Sequence, residues 1–266
     1  MNEQDYREAN GYSQSDLKVL SSTCPKAFKY YWDNPDLRKK PRNQRNLDLG
    51  TAVHMYILQP EKARTEIVVC ELMHANTAGY RKLKELNKNK IVLTAPEHSI
   101  ALGCSDEVKA TKFWQELLIS GEVICELPLF WSDPVAPNVP LKSRIDLISD
   151  KYVIDIKTTA SLEGFEKDFY NFKYYFQAAA YLRAVKEKLG GDRKFVIIAV
   201  EKDPPNIVQI FQVHDRVIEY GDVEWKRTLR LLNHCIESED WYDYSQQEDS
   251  VIYLPKWRED QLKALE

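Results

Sequence analysis

Long apolar runs are missing from this sequence. The longest, such as Phe195 to Val200, last about six residues, against the roughly 20 that a helix needs to cross a bilayer. No membrane span is therefore expected. The start, Met1-Asn2-Glu3-Gln4-Asp5, has neither the basic opening nor the apolar stretch of a secretory signal, and a cytoplasmic protein is the expectation. Cysteine is sparse: Cys24, Cys70, Cys104, Cys125 and Cys235 are odd in number and at least 21 residues apart. This excludes a CxxC zinc or redox pair and leaves reduced thiols as the natural reading. Glycine occurs only nine times, and there is no GxxxxGK phosphate loop, no HExxH and no GxSxG. Neither an internal repeat of roughly 20 to 50 residues nor a low-complexity tract is present, which sets solenoids and disordered arrays aside.

What is there fits a chain able to bury a sizeable core: 266 residues, 44% apolar and 29% charged. A formal net charge of −4 rules out a protein coated in basic surface. It still permits nucleic acid in a confined channel, because binding follows local charge. The first part, residues 1–120, reads as mainly helical. Ser13 with Asp16 three residues on has the form of a helix start. Cys24-Pro25 restarts a helix whose Phe28, Tyr31 and Trp32 are assigned to the core, and Asn34-Pro35 ends it. Arg38, Lys39, Lys40, Arg42 and Arg45 then fall on a loop that Pro41 keeps open, which is either a solvated stretch or a phosphate-binding one. Leu47 to Leu58 has helical spacing with His54 near its middle. Ile91-Val92-Leu93 reads as a strand, and Thr94 with Glu97 as a capping box for a helix running to about Leu118.

From Glu122 the pattern becomes strand-like. Val123 to Trp131, Leu141 to Ile148 and Lys151 to Ile156 predict a three-stranded meander. Helices over Leu162 to Asn171 and Tyr174 to Lys188 follow, then a hairpin of Phe195 to Glu201 with Ile207 to Val213, and a helix over Val217 to Ile236. Residues 121–236 would thus form the core, and 237–266 a Trp- and Tyr-rich tail. The whole predicts one α/β domain with a central mixed sheet flanked by helices.

The chemistry concentrates in Arg144-Ile145-Asp146 and Asp155-Ile156-Lys157. Asp155 and Lys157 lie two apart on a strand and project from one face, while Ile154 and Ile156 point into the core. Asp146 can meet them across the meander turn. Converging carboxylates repel unless a cation sits between them, and hard oxygen ligands favour Mg²⁺ or Mn²⁺. Lys157 adds a cation able to orient an attacking water or steady charge on a phosphate. Gln177 and Tyr181, four apart, share one face of the following helix. Glu126, on the strand before Asp146, is either a further acid of the site or a solvated or salt-bridged carboxylate.

This D-(x8)-D-x-K arrangement with its downstream Q-x3-Y resembles the RecB-like branch of the PD-(D/E)XK nuclease superfamily. The segment Leu47-Asp48-Leu49-Gly50-Thr51-Ala52-Val53-His54 resembles the histidine-bearing helix of that branch. It resembles more closely that of the RecE-type (exonuclease VIII) recombination exonucleases of phages and prophages. Ser13 to Leu20, Asp155 to Ala160, Phe169 to Gln177 and Leu254 to Trp257 extend the resemblance over almost the whole chain. Ile145 stands where many superfamily members have proline.

The resemblance implies a restriction-endonuclease-like core over 1–266, with residues 121–236 as the catalytic part. It implies that His54, Asp146, Asp155 and the Ile156 carbonyl ligate two Mg²⁺ ions, that Lys157 positions the nucleophilic water, and that Gln177 and Tyr181 hold the DNA or brace the site. It further implies 5′-to-3′ degradation of double-stranded DNA ends, a RecT-like single-strand annealing partner for the 3′ overhang, and a homo-oligomeric ring, commonly a tetramer. The iron–sulfur cluster of some relatives is excluded, since Cys24 has no clustered cysteines downstream. Alternatives are a nuclease of the same fold with other polarity or substrate (an endonuclease or a single-strand exonuclease), a non-catalytic DNA-binding protein, and a small-molecule phosphohydrolase.

Overall fold

The computed structural model describes residues 3–37, 43–72, 74–246 and 253–265. Its first helix, α1 (Glu3–Glu8), is short. The Lys142 ammonium donates to the carbonyls of Tyr6, Arg7 and Ala9 at 3.2, 2.9 and 2.7 Å, satisfying groups that a helix end leaves open. A two-residue strand, β1 (Tyr12–Ser13), runs straight into α2 (Gln14–Ser22). The Ser13 cap forms as the sequence suggests: Asp16 N donates to Ser13 Oγ at 3.3 Å, and Ser13 N donates to Asp16 Oδ2 at 2.9 Å. Replacing Ser13 with Ala is expected to lower stability by about 1 kcal/mol, read from the midpoint of urea unfolding. An unchanged midpoint would show that the cap contributes nothing.

Helix α3 (Pro25–Asp33) buries Phe28, stacked on Trp32 and Trp241. Helix α4 (Gln44–Leu58) starts three residues earlier than the apolar spacing alone indicates, because the Asn43 side chain caps it by accepting from Asn46 N. Helix α5 (Pro60–Glu66) leads to β2 (Ile67–Cys70), which pairs in parallel with β3 (Ile91–Thr94) across α6 (Ala78–Leu86). The helix expected to run unbroken to Leu118 is two, α7 (Ala95–Ala110) and α8 (Lys112–Ile119). Thr111 between them is extended at ψ 141 and accepts from Trp114 N, so it ends one helix and caps the next.

The main sheet has six strands. A long hairpin joins β4 (Ile124–Asp133) to β5 (Ala136–Ile148), and β6 (Tyr152–Thr159) returns antiparallel beside β5. Helices α9 (Phe165–Asn171) and α10 (Tyr174–Leu189) carry the chain over to β7 (Lys194–Glu201), parallel to β6. The edge is β8 (Val208–Gln212), antiparallel to β7, before the long α11 (Asp215–Ser238) and, further on, α12 (Lys256–Leu265). The sheet is mixed because the two helices allow a parallel return that a tight hairpin cannot make.

Period-two alternation divides the central strands between two helical layers. Val153, Phe195, Ile197 and Ala199 pack with Leu17 and Leu20 of α2, Phe176 of α10, and Trp225 and Leu229 of α11. Ile154, Ile156, Val196, Ile198 and Val200 pack with Leu49, Ala52 and Val53 of α4, Cys104 and Val108 of α7, and Trp114 of α8. Both faces are therefore covered, as near-continuous apolar strands require. Among the described residues no helix is long and apolar enough to cross a membrane.

Candidate active site

The site lies at a fork in the sheet. β5 and β6 pair only at Leu147 with Ile154 and Ile148 with Val153, after which they separate. Ile156 N–H, released from that ladder, donates instead to Asp146 Oδ2 at 2.9 Å. The carboxylate thus fills the opening between strands and is fixed by a backbone donor.

Two more groups converge on it. His54, from α4, places Nδ1 3.4 Å from Asp146 Oδ2. Gly50, one turn earlier, faces β6: a Cβ there would stand 3.4 Å from Thr158 Oγ1, an ordinary contact. Glu126 sits opposite Asp146 in the β4–β5 hairpin, where the pairing omits one position between Cys125 with Leu147 and Leu127 with Ile145. Its φ of 52° is left-handed, a conformation that costs a non-glycine residue energy and that tends to persist at functional sites. One ligand atom each from His54, Glu126 and Asp146 lies within 4.8 Å of the others. Glu126 is also ion-paired to Arg144 Nε at 2.5 Å, so it stands beside Asp146 as a salt-bridged carboxylate. Burial, then the Asp146 charge, push its carboxyl above the usual range, with Arg144 opposing.

Asp155 is 1% exposed. It and Lys157 share one face of β6, which α10 covers at Asp155, while Lys157 stays partly exposed and reaches the cleft. Gln177 Nε2 donates to Asp155 Oδ1 at 2.7 Å. Lys157 Nζ lies 2.6 Å from Oδ2 as an ion pair, and that ammonium is the close partner of this buried oxygen. Burial is the main cause raising the Asp155 carboxyl; Lys157 opposes it, and Asp146 adds to it. For Lys157, burial works against the ammonium and is outweighed by Asp155 and then Asp146, so it stays charged. Tyr181, 7% exposed, packs against Phe195; burial and then the Asp146 and Asp155 charges push its hydroxyl well up. Gln177 thus contacts Asp155 directly, whereas Tyr181 lies in the apolar layer.

These residues fit a hard divalent cation. The donors are carboxylate oxygens and one imidazole, the ligand atoms of His54, Glu126 and Asp146 lie close enough to share one ion, and the acids repel one another in the absence of positive charge. His54, Glu126, Arg144, Ile156, Lys157 and Tyr174 help to line a cleft of about 390 Å³, whose lining does not include Asp146 or Asp155. Arg45 lies outside this group. It belongs to the first turn of α4, not to a loop, and its guanidinium pairs with Glu97 Oε1 at 2.6 Å, an acid drawn close by its own capping role at Thr94. Arg38, Lys39, Lys40 and Arg42 lie outside the described residues. Tyr174, which underlies Lys157 at 4.9 Å from ring centroid to Nζ, was not singled out by sequence; its place as the first residue of α10, three before Gln177, was the available signal.

An acid pair and a lysine on adjacent strands of a mixed sheet, with helices on both faces, define a nuclease-type fold of the PD-(D/E)XK kind. The chain belongs to the family described as a PDDEXK-like domain of unknown function (DUF3799), whose model matches residues 13–252. In structure it is similar to a presumed exonuclease from Eubacterium rectale, with a TM-score of 0.62 at 16% identity, covering 98% of this chain and 97% of that one. At that identity the likeness speaks for the fold. No curated protein matches the sequence.

Proposed function

We propose that this chain is a metal-dependent exodeoxyribonuclease that degrades duplex DNA from its 5′ ends and leaves 3′ single strands for recombination by strand annealing. The observation that carries the reading is the fork itself: Asp146 held by Ile156 N–H, flanked by His54 and Glu126, with the Asp155–Lys157 pair on the neighbouring strand. A module that only bound DNA would gain nothing from acids gathered where phosphates must lie, since they repel the backbone unless cations intervene.

His54, Asp146, Asp155 and the Ile156 carbonyl would hold the ions, with Glu126 as a further ligand. When bound, two Mg²⁺ or Mn²⁺ ions would neutralise charge on the phosphate and acidify the attacking water. Lys157 Nζ orients that water and steadies the phosphate's negative charge. Gln177 fixes the rotamer of Asp155, and Tyr181 closes the back of the site against water. The basic run Arg38, Lys39, Lys40 and Arg42 tracks the DNA backbone, contributing salt-sensitive affinity without sequence preference. Assembly as a ring, a tetramer by resemblance, would keep the enzyme on its strand, and a RecT-like protein would receive the product.

Linear duplexes labelled at either the 5′ or the 3′ end test this. With Mg²⁺, 5′ label should be released as mononucleotide while 3′ label stays in a shortening strand, and EDTA should stop both. Release of 3′ label first would assign the other polarity, internal cuts an endonuclease. Intact DNA with and without metal would end the enzyme reading.

A further inference from the structure

A second ammonium shares the ring beneath Lys157. Lys18, on α2, stands 5.6 Å from the Tyr174 ring centroid, while Lys157 stands 4.9 Å from the same centroid. Nearby, Lys173 adds a third cation. Lys157 has Asp155 as its partner, and Lys173 has Glu224 at 2.6 Å and Ser21 Oγ at 2.9 Å. Lys18, half-buried, makes no hydrogen bond or ion pair with its ammonium among the described residues.

Such an arrangement is costly. Partial burial removes water from the Lys18 charge, and Lys157 repels it, so its ammonium is pushed down to about 7, with only the Asp155 charge opposing. A cation–π contact with the Tyr174 ring offsets only part of that cost. Nothing in the packing of α2 demands a lysine here, since Leu17 and Leu20 supply its buried face. The missing counter-charge is what an incoming phosphate would provide.

We propose that Lys18 is a substrate-phosphate ligand: its ammonium contacts a non-bridging oxygen of a DNA backbone phosphate on the Tyr174 side of Lys157. Both ammonium groups contact the Tyr174 ring, so one phosphate, or two adjacent ones, can meet both, and the phosphate charge favours the protonated form of Lys18. The inference rests on the nuclease reading for its ligand, but not on the metal site. It assigns to Lys18 binding of the strand, and leaves orientation of the water to Lys157.

The test is a pair of variants, Lys18→Met and Lys18→Arg, assayed against the unsubstituted protein. Equilibrium binding of a labelled duplex in EDTA is measured over a range of salt, and KM and kcat with Mg²⁺. Lys18→Met should weaken binding about tenfold and reduce the slope of log affinity against log salt by about one phosphate contact. KM should rise more than kcat falls, and Lys18→Arg should recover most of the affinity. Thermal melting of Lys18→Met should be no lower than that of the unsubstituted protein, since an unpaired, half-buried charge has been removed. Binding of Lys18→Met with unchanged affinity and salt slope would overturn the proposal, whatever the activity. If the unsubstituted protein fails to cut DNA with Mg²⁺, the nuclease reading falls, and the binding measurement in EDTA still decides the role of Lys18.

Discussion

Replacing Asp146 with Asn is expected to lower nuclease turnover at least about a thousandfold while leaving the protein, in EDTA, as stable as before or slightly more so. The substitution keeps the shape and the acceptor that Ile156 N–H requires, so the fork between β5 and β6 should persist. What it removes is one of the negative charges that raise the carboxyls of Glu126 and Asp155. Relief of that repulsion offsets loss of the contact with His54 Nδ1 at 3.4 Å. A thousandfold loss corresponds to about 4 kcal/mol of transition-state stabilisation, the scale expected when a site loses a ligand anchoring its metal. Single-turnover rates and melting curves with and without Mg²⁺ separate the two effects: the unsubstituted protein should gain stability from Mg²⁺, and the Asn variant should gain little. A variant that keeps a tenth of the activity would remove Asp146 from the centre of the chemistry.

Much of this was legible from residue order, and the parts that were not have identifiable causes. The caps at Ser13 and Thr94 are local, with donor and acceptor three residues apart, and both form as read. The alternation in Val153 to Lys157 divides the strand between two buried layers, with Val153 in one and Ile154 and Ile156 in the other, because a strand has one period. Two-residue β1 carries no pattern of its own and exists because β5 offers an edge at Leu141 and Lys142. Glu126 was left open because nothing in Cys125-Glu126-Leu127 announces a left-handed residue. A hairpin register counted back from Trp131 opposite Leu141 does put it opposite Asp146. Lys18 could not be found this way. A lysine on an amphipathic helix reads as solvated surface, and its closeness to Lys157 depends on how α2 and α10 lie against the sheet.

That placement depends in turn on one glycine, and Gly221→Ala is expected to destabilise the protein by about 3 kcal/mol or more. In most helix interiors the change would stabilise by about 1 kcal/mol through propensity. Here a Cβ would stand 2.3 Å from Tyr175 O and 2.9 Å from Tyr175 C, backbone atoms of a helix that cannot yield as a side chain would. Relieving the overlap means pushing α10 away from α11 by roughly an ångström, against the packing of Phe176 and Trp225 at 5.3 Å between ring centroids, and overpacking of this kind costs about 1–3 kcal/mol or more. The clash therefore outweighs the propensity gain. Because α10 carries Tyr174, Gln177 and Tyr181, the displacement should also reach the site: the 2.7 Å bond from Gln177 to Asp155 lengthens, and turnover falls even at temperatures where the variant remains folded. Urea unfolding and single-turnover assays on the same preparation provide the check. A Gly221→Ala protein as stable as the unsubstituted one would mean that the helices are not in the contact described, and that the positions of Gln177 and Lys18 relative to the acids have to be redrawn.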